Sequence, residues 1–180
     1  MTNVHESRMN FSFDSSVTVT KFDETTFFNK HYKKLQESKG IDFIILEERV
    51  NRFIMIEVKN FRGYLQDSKT KDRLKLQSSK SVIVETALKV RDSIACIVGA
   101  NRCQQETDLS PYQKAIDSKS KIKVILLLEV PTFSKKDYKF FTDDLKKKLA
   151  WLNVRVLVTN MEMLQEEFSW LRIENLPNSQ

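Results

Sequence analysis

Two short apolar runs separated by a polar turn constrain the fold of this chain more than any other feature. The runs are "IDFIIL" at residues 41–46 and "RFIMIEV" at residues 52–58, and the turn between them is "EERVN". Apolar and β-branched runs of this length favour strands, and a short polar connection between them predicts an antiparallel hairpin. The second strand closes with opposite charges, Glu57 and Lys59. Ionised side chains at the end of a buried strand need a chemical reason.

Strand geometry predicts where these charges point. Because side chains alternate between the two faces of a strand, Glu57 and Lys59 share a face with Phe53 and Met55. A hairpin centred on the "EERVN" turn also brings Asp42 back beside residues 57 and 58. The pattern therefore predicts two carboxylates and one ammonium at the same end of the hairpin.

The N-terminal half of the chain predicts three further features. They are a short hairpin or strand around the Asp14–Ser16 turn in "FSFDSSVTVTKF", a first helix over residues 23–40, and a long helix from Leu76 to about Gly99 that follows a loop. Asp23 is the predicted N-cap of the first helix, and Gly40 its stop.

The C-terminal half predicts alternating helices and strands. Ser110 and Pro111 begin a short helix, "KVILLLEV" is an apolar central strand, Ser134 and Asp137 resemble a capping box, "VRVLVT" is another strand, and Asn160 caps a last helix. With 180 residues, 41% of them apolar, the chain is long enough for one domain spanning residues 1–180. The order of elements predicts an α/β fold in which helices flank both faces of a central mixed sheet.

The residues at the hairpin end suit hydrolysis assisted by a metal ion. The carboxylates of Asp42 and Glu57, with the backbone carbonyl of Val58, are hard oxygen ligands of the kind magnesium takes alongside water. Lys59 is placed to orient or polarise a metal-bound water, and the metal would stabilise charge on a phosphodiester oxygen.

Asp42, fourteen intervening residues and then Glu57-Val58-Lys59 resemble the PD-(D/E)xK nuclease superfamily, also called restriction-endonuclease-like. Within it, "IDFIIL...FIMIEVKNFRG" is similar to the nuclease-related domain. The resemblance implies a core of helix, strand hairpin, helix and strand over about residues 23–130, with a further strand and helices in residues 131–180. It departs from the superfamily pattern at Ile41, where the name of the superfamily has proline.

The resemblance also implies roles for individual residues. Asp42 and Glu57 would be metal ligands and Lys59 the catalytic lysine. Many members carry a glutamate on the first helix, which here would be Glu24, and some carry a helical glutamine after the lysine strand, for which Gln77 is the nearest equivalent. A different interpretation stays open, in which Glu57 and Lys59 are an ordinary ion pair on the surface of an edge strand.

Positive charge next to the hairpin predicts a polyanionic partner. The chain carries a net charge of +6 and has a pI near 9.2. Seven residues follow the lysine strand closely enough to contact nucleic acid, mostly at phosphates and, for the tyrosine, by stacking on a base: Arg62, Tyr64, Lys69, Lys71, Arg73, Lys75 and Gln77. Lys146, Lys147 and Lys148 are interpreted as the solvated face of an amphipathic helix.

These observations lead to two functional hypotheses. The first is a nuclease that hydrolyses DNA phosphodiester bonds with Mg²⁺ or Mn²⁺; the second is a catalytically inactive module of the same fold that binds nucleic acid or a protein. The sequence has neither a signal-peptide core nor an apolar run of membrane-spanning length, so we expect a cytoplasmic protein without a membrane partner. Cutting both strands of a duplex would call for two sites, which a symmetric homodimer commonly supplies.

Overall fold

A five-stranded mixed sheet forms the centre of the structure, a computed structural model that describes residues 1–103, 108–117 and 120–176. The strands are β1 (Thr2–Glu6), β2 (Met9–Phe13), β3 (Thr18–Lys21), β4 (Phe43–Glu47), β5 (Arg52–Asn60), β6 (Lys121–Glu129), β7 (Arg155–Thr159) and β8 (Leu171–Asn175). The helices are α1 (Thr26–Lys30), α2 (Ser68–Arg73), α3 (Val82–Arg102), α4 (Ser110–Asp117), α5 (Lys135–Lys148) and α6 (Met161–Glu167). The architecture is α/β, as the order of elements predicts.

Strand order in the large sheet is β3-β4-β5-β6-β7. The pairs β3/β4 and β4/β5 are antiparallel, whereas β5/β6 and β6/β7 are parallel. The predicted β4/β5 hairpin is therefore confirmed. The central position belongs to β5 rather than to β6, although the middle of β6 is buried on both faces as its unbroken apolar sequence indicates.

Helices cover one face of the large sheet. Every second side chain of β4 and β5 points to this face and packs against α3, α4 and α5. Phe53 and Met55 on β5 belong to this core, as do Val90 and Ile97 on α3 and Leu145 on α5. This is the face toward which Glu57 and Lys59 also point, so α3 is the element closest to the charged end of the hairpin.

The other face is covered mainly by a second sheet, of strand order β1-β2-β8, with α6 beside it. Phe11 on β2 packs on Phe43 of β4, with ring centroids 5.0 Å apart. The prediction that helices flank both faces is thus only partly correct, because α6 covers a part of this face and strands cover most of it. Of the two alternatives for the segment around Asp14, the strand is confirmed by β2 and β3 and the hairpin is wrong: β2 and β3 belong to different sheets, and β2 pairs with β1 and β8.

Several predicted helix boundaries differ from the structure. The helix predicted over residues 23–40 is broken into a 3₁₀ turn at Phe22–Glu24, the five-residue α1 and a second 3₁₀ turn at Tyr32–Lys34. The loop after β5 contains α2, and the long helix α3 begins at Val82, not Leu76, and continues past Gly99. Leu76 instead packs from a turn against the helical core.

The other helix starts agree with the sequence. Ser110 begins α4, the Ser134–Asp137 capping box begins α5, and the Asn160 side chain accepts a hydrogen bond from the Met163 backbone at the start of α6. Among the described residues, no helix combines the length and the apolar character needed to cross a membrane.

Candidate active site

Asp42 is held against β5 by the register of the hairpin. Phe43 pairs with Ile56, so the residue before β4 lies beside Glu57 and Val58. The backbone N–H of Val58 donates a hydrogen bond of 2.7 Å to Asp42 Oδ2. Asp42 is only 6% exposed, and this bond satisfies one oxygen while the other stays available to a cation.

Glu57 is fully buried, which excludes the interpretation as an ordinary surface pair. β5 lies between β4 and β6, so it is not an edge strand. The Glu57 carboxylate lies 2.7 Å from Lys59 Nζ, and the two side chains share the helical face of the sheet. A buried carboxylate requires compensation by positive charge, and Lys59 supplies part of it.

A second lysine, which the sequence interpretation missed, completes the compensation. Lys89 on α3 places its Nζ 3.2 Å from Asp42 Oδ1 and 2.7 Å from Glu57 Oε1, and donates a hydrogen bond of 2.9 Å to Glu57 Oε2. One ammonium thus bridges both carboxylates. Asp42, Glu57 and Lys59 meet at this end of the hairpin as the sequence predicts, with Lys89 between the two acids.

The ionic network continues along α3 toward α2. Lys59 Nζ lies 3.1 Å from Glu85 Oε1, and Arg73 lies 2.7 Å from Glu85 Oε2. When all six side chains are ionised, the negative charges of Asp42, Glu57 and Glu85 equal in number the positive charges of Lys59, Lys89 and Arg73. Glu85 and Lys89 lie four positions apart, which puts them on one face of α3. That spacing was the signal in the sequence that could have identified them.

The environment shifts the pKa values of this network in opposite directions. Burial, reinforced by the nearby Asp42, raises the pKa of Glu57 to about 7 even though two lysines oppose the shift. Burial also acts on Glu85, but Lys59 and Arg73 outweigh it and lower the pKa of Glu85 to about 2. For Lys89, burial is outweighed by Glu57 and Asp42, which raise its pKa above the usual range for lysine.

A further pair of acids, Glu6 and Asp23, lies close to Asp42. Carboxylate oxygens of Glu6, Asp23 and Asp42 all lie within 4.8 Å of one another. Burial raises the pKa of Asp23. Glu24, the expected acid of the first helix, is not brought to the site: its side chain is 68% exposed and pairs with Lys21 at 2.8 Å. Asp23, one residue earlier, takes the position beside Asp42 instead.

Two of the predicted nucleic-acid contacts lie just past the end of β5. The backbone and side-chain N–H groups of Arg62 both donate to Asn60 Oδ1, at 3.1 Å each. Tyr64 is about half exposed, and the Arg8 guanidinium lies 4.7 Å from the centre of its ring. Arg8, Asn60 and Arg62 line a cavity of about 260 Å³ there.

The remaining predicted contacts divide into two groups around α2. Lys69 and Arg73 line a groove of about 450 Å³ together with Lys39, Lys80 and the apolar side chains of Val84 and Leu88. The side chains of Lys39, Lys69 and Lys80 form no hydrogen bond or ion pair within the part of the chain that the structure describes.

Three predicted contacts lie outside this groove. Lys71 is exposed, Lys75 pairs with Asp72 at 2.7 Å, and Gln77 lies exposed in a turn before α3 rather than on a helix. Gln77 is therefore not brought to the carboxylates.

Comparison with known proteins leaves the family open. No protein-family model matches the chain, and no solved structure matches it. The chain is 29% identical over 174 residues to a cysteine–tRNA ligase of Neisseria meningitidis, in an alignment that covers 79% of this chain and 23% of that ligase. The chain thus spans less than a quarter of the ligase's length, and identity at this level does not assign it to a family.

Proposed function

We propose that this protein is a metal-dependent nuclease that hydrolyses phosphodiester bonds in DNA. The observation that carries the proposal is the convergence of Asp42, Glu57 and Lys59 at one end of the β4/β5 hairpin, where the buried Glu57 carboxylate lies 2.7 Å from Lys59 Nζ and the buried Asp42 carboxylate accepts a hydrogen bond from the neighbouring Val58 N–H. The order of α1, the hairpin, α3 and β6 supports a restriction-endonuclease-like core, which we include in the proposal.

The carboxylates fit a divalent cation. Asp42 Oδ1 and Glu57 both contact the Lys89 ammonium, which occupies the position between them that a cation would take. The Val58 N–H donates a hydrogen bond to Asp42, so the Val58 backbone lies next to this position. Asp42, Glu57 and the Val58 carbonyl would hold Mg²⁺ or Mn²⁺ there. The ion, when bound, supplies an activated water and positive charge opposite the phosphoryl oxygens.

Lys59 has a separate role in this proposal. Its ammonium is anchored between Glu57 and Glu85, at 2.7 Å and 3.1 Å, which fixes its position without burying it completely. A fixed ammonium beside the carboxylates orients the attacking water and stabilises negative charge that develops on the phosphodiester. Glu85 contacts Lys59 directly, and Arg73 contacts Glu85. Both are therefore positioning residues for Lys59.

The basic groove supports a nucleic-acid substrate. Arg73 belongs both to the ionic network and to the groove, so the groove begins next to Lys59. Lys39, Lys69 and Lys80 offer positive charges to phosphates beside the acids Asp72 and Glu85, which also line the groove, and Val84 and Leu88 offer an apolar wall. Arg62 and Tyr64 lie past the end of β5 and would contact the part of the nucleic-acid strand next to the groove.

A nicking assay tests the proposal. Wild type, Asp42→Asn and Lys59→Met are incubated with supercoiled DNA, single-stranded DNA and RNA in Mg²⁺ or Mn²⁺, and circular dichroism checks that each variant is folded. We expect each substitution to reduce cleavage of DNA at least a hundredfold, while Lys146→Ala on the exposed side of α5 leaves cleavage unchanged. Equal cleavage by the wild type and both site variants would refute the assignment.

One observation favours a second candidate, the inactive binding module. Lys89 bridges the two carboxylates and Lys59 contacts Glu57, so the two acids have two cationic partners without any metal ion. Such a protein would bind nucleic acid through the groove and would show no metal-dependent cleavage. The same assay separates the candidates, because DNA binding without nicking in either metal ion favours the module.

A further inference from the structure

The position of Lys89 bears on how the proposed site takes up its metal ion. Its Nζ lies 3.2 Å from Asp42 Oδ1 and 2.7 Å from the nearest oxygen of Glu57. A divalent ion shared by the same two carboxylates would lie about 2 Å from each oxygen, in the space between them. The ammonium and the ion therefore compete for one position.

The surroundings of Lys89 hold its ammonium in this position. The side chain is 13% exposed and reaches the carboxylates from α3, a 21-residue helix packed on the sheet. Lys59 Nζ also lies 2.7 Å from Glu57 Oε1, the same oxygen that Lys89 contacts. Lys59 and Lys89 together bring two positive charges to the two carboxylates, which weakens the attraction that a divalent ion would gain there.

We propose that Lys89 is an internal counter-ion that occupies the metal position and keeps metal affinity low until it is displaced. The inference rests on the proposed metal site, and it adds the regulation of that site. When Lys89 is displaced, its ammonium lies near the basic groove and can form an ion pair with a phosphate of a bound nucleic-acid strand. Nucleic acid and metal ion then bind cooperatively, because each favours the arrangement in which Lys89 has left the carboxylates.

Metal titration without any activity measurement tests this inference. Mn²⁺ is titrated by calorimetry, in the absence of nucleic acid, into the wild type, Lys89→Met, Lys89→Gln and Lys89→Arg. We expect Lys89→Met and Lys89→Gln to bind Mn²⁺ at least tenfold more tightly than the wild type, because both remove the competing charge. Lys89→Arg keeps a cation and should bind Mn²⁺ within about threefold of the wild type. The Gln variant keeps the test informative if the Met variant does not fold, because its amide can still donate to a carboxylate.

Two controls locate the effect. Lys146→Met removes an exposed lysine on α5 and should leave Mn²⁺ affinity unchanged. Adding Asp42→Asn to Lys89→Gln should abolish the gained affinity, since the amide retains an oxygen for the Val58 N–H but loses the charge. Mn²⁺ affinity that is equal to or weaker than wild type in both neutral variants overturns the inference, as does the absence of binding in all of them. Tighter Mn²⁺ binding by a protein that never cleaves DNA would leave this inference standing and refute the proposed nuclease.

Discussion

At the scale of single residues, the structure explains why a core strand ends in Glu57 and Lys59. Glu57 is fully buried and touches two ammonium groups, while Asp42 is bound by the Val58 N–H and by one of them. Removing one partner from such a network leaves a buried charge without compensation, which costs more than the net contribution of the pair. The network therefore tolerates rearrangement of its cations better than their loss.

The acid stability of the protein should depend on Glu85. Its pKa is lowered from 4.5 to about 2 in the folded state, so between these pH values the unfolded chain binds a proton that the folded protein does not. The free energy of unfolding falls as pH falls through this window, by on the order of 2–3 kcal/mol for this one group. Glu85→Gln should be less stable than the wild type near pH 7, with the difference shrinking below pH 4.5.

Urea unfolding of both proteins at a series of pH values measures this effect. Glu24→Gln is the control, because Glu24 is exposed and pairs only with Lys21, and it should change stability by less than about 1 kcal/mol. A gap between wild type and Glu85→Gln that stays constant from neutral to acidic pH would contradict the assignment of the low pKa to Glu85.

Sequence reasoning found the residues of the hairpin and missed those supplied by α3. Asp42, Glu57 and Lys59 follow from a period of two and a short turn, which are local properties of the chain. The four-residue spacing of Glu85 and Lys89 places them on one face of α3, but the tertiary packing of α3 on the sheet is what brings that face to the carboxylates. Asp23 replaced Glu24 beside Asp42 because a 3₁₀ turn, not an α-helix, carries both.

At the scale of secondary-structure elements, the sequence predicted the large sheet better than what covers it. β4, β5, β6 and β7 each have an apolar run that is long enough to identify, whereas β8, although as long as β4 and β7, alternates buried with exposed residues over its first three positions. Its pairing with β2 joins opposite ends of the chain, which no local pattern reveals. The covering sheet is therefore a product of tertiary contacts.

Phe11→Ala tests how much that second sheet contributes to stability. Phe11 is fully buried and packs on Phe43 of the large sheet, so its removal should lower the free energy of unfolding by about 3–5 kcal/mol. Phe140→Ala is the matched control: this phenyl ring is 51% exposed on α5, and its loss should cost less than about 1 kcal/mol. Chemical denaturation of both variants gives the comparison, and equal costs would show that the second sheet is not packed as described.

At the scale of the whole molecule, the charges and the packing occupy different regions. Apolar side chains fill both faces of the large sheet, and the ionic network lies at the end of the hairpin, where α3 passes the carboxyl end of β5. The groove beside α2 continues from that network through Arg73. A net charge of +6 attracts polyanions in general, whereas the groove places Lys39, Lys69 and Lys80 next to the candidate site.

The salt dependence of DNA binding distinguishes the groove from general attraction. Each phosphate contact releases about 0.9 counterion from duplex DNA, so replacing Lys69 and Lys80 together by alanine should reduce the slope of log affinity against log salt by about one to two. Lys146→Ala with Lys147→Ala removes the same charge from the exposed side of α5 and should leave the slope nearly unchanged. Fluorescence anisotropy with labelled DNA in EDTA, over a series of KCl concentrations, measures the slope without cleavage. If both double variants lower it equally, DNA responds to the total charge of the protein, and the groove has no special part in binding.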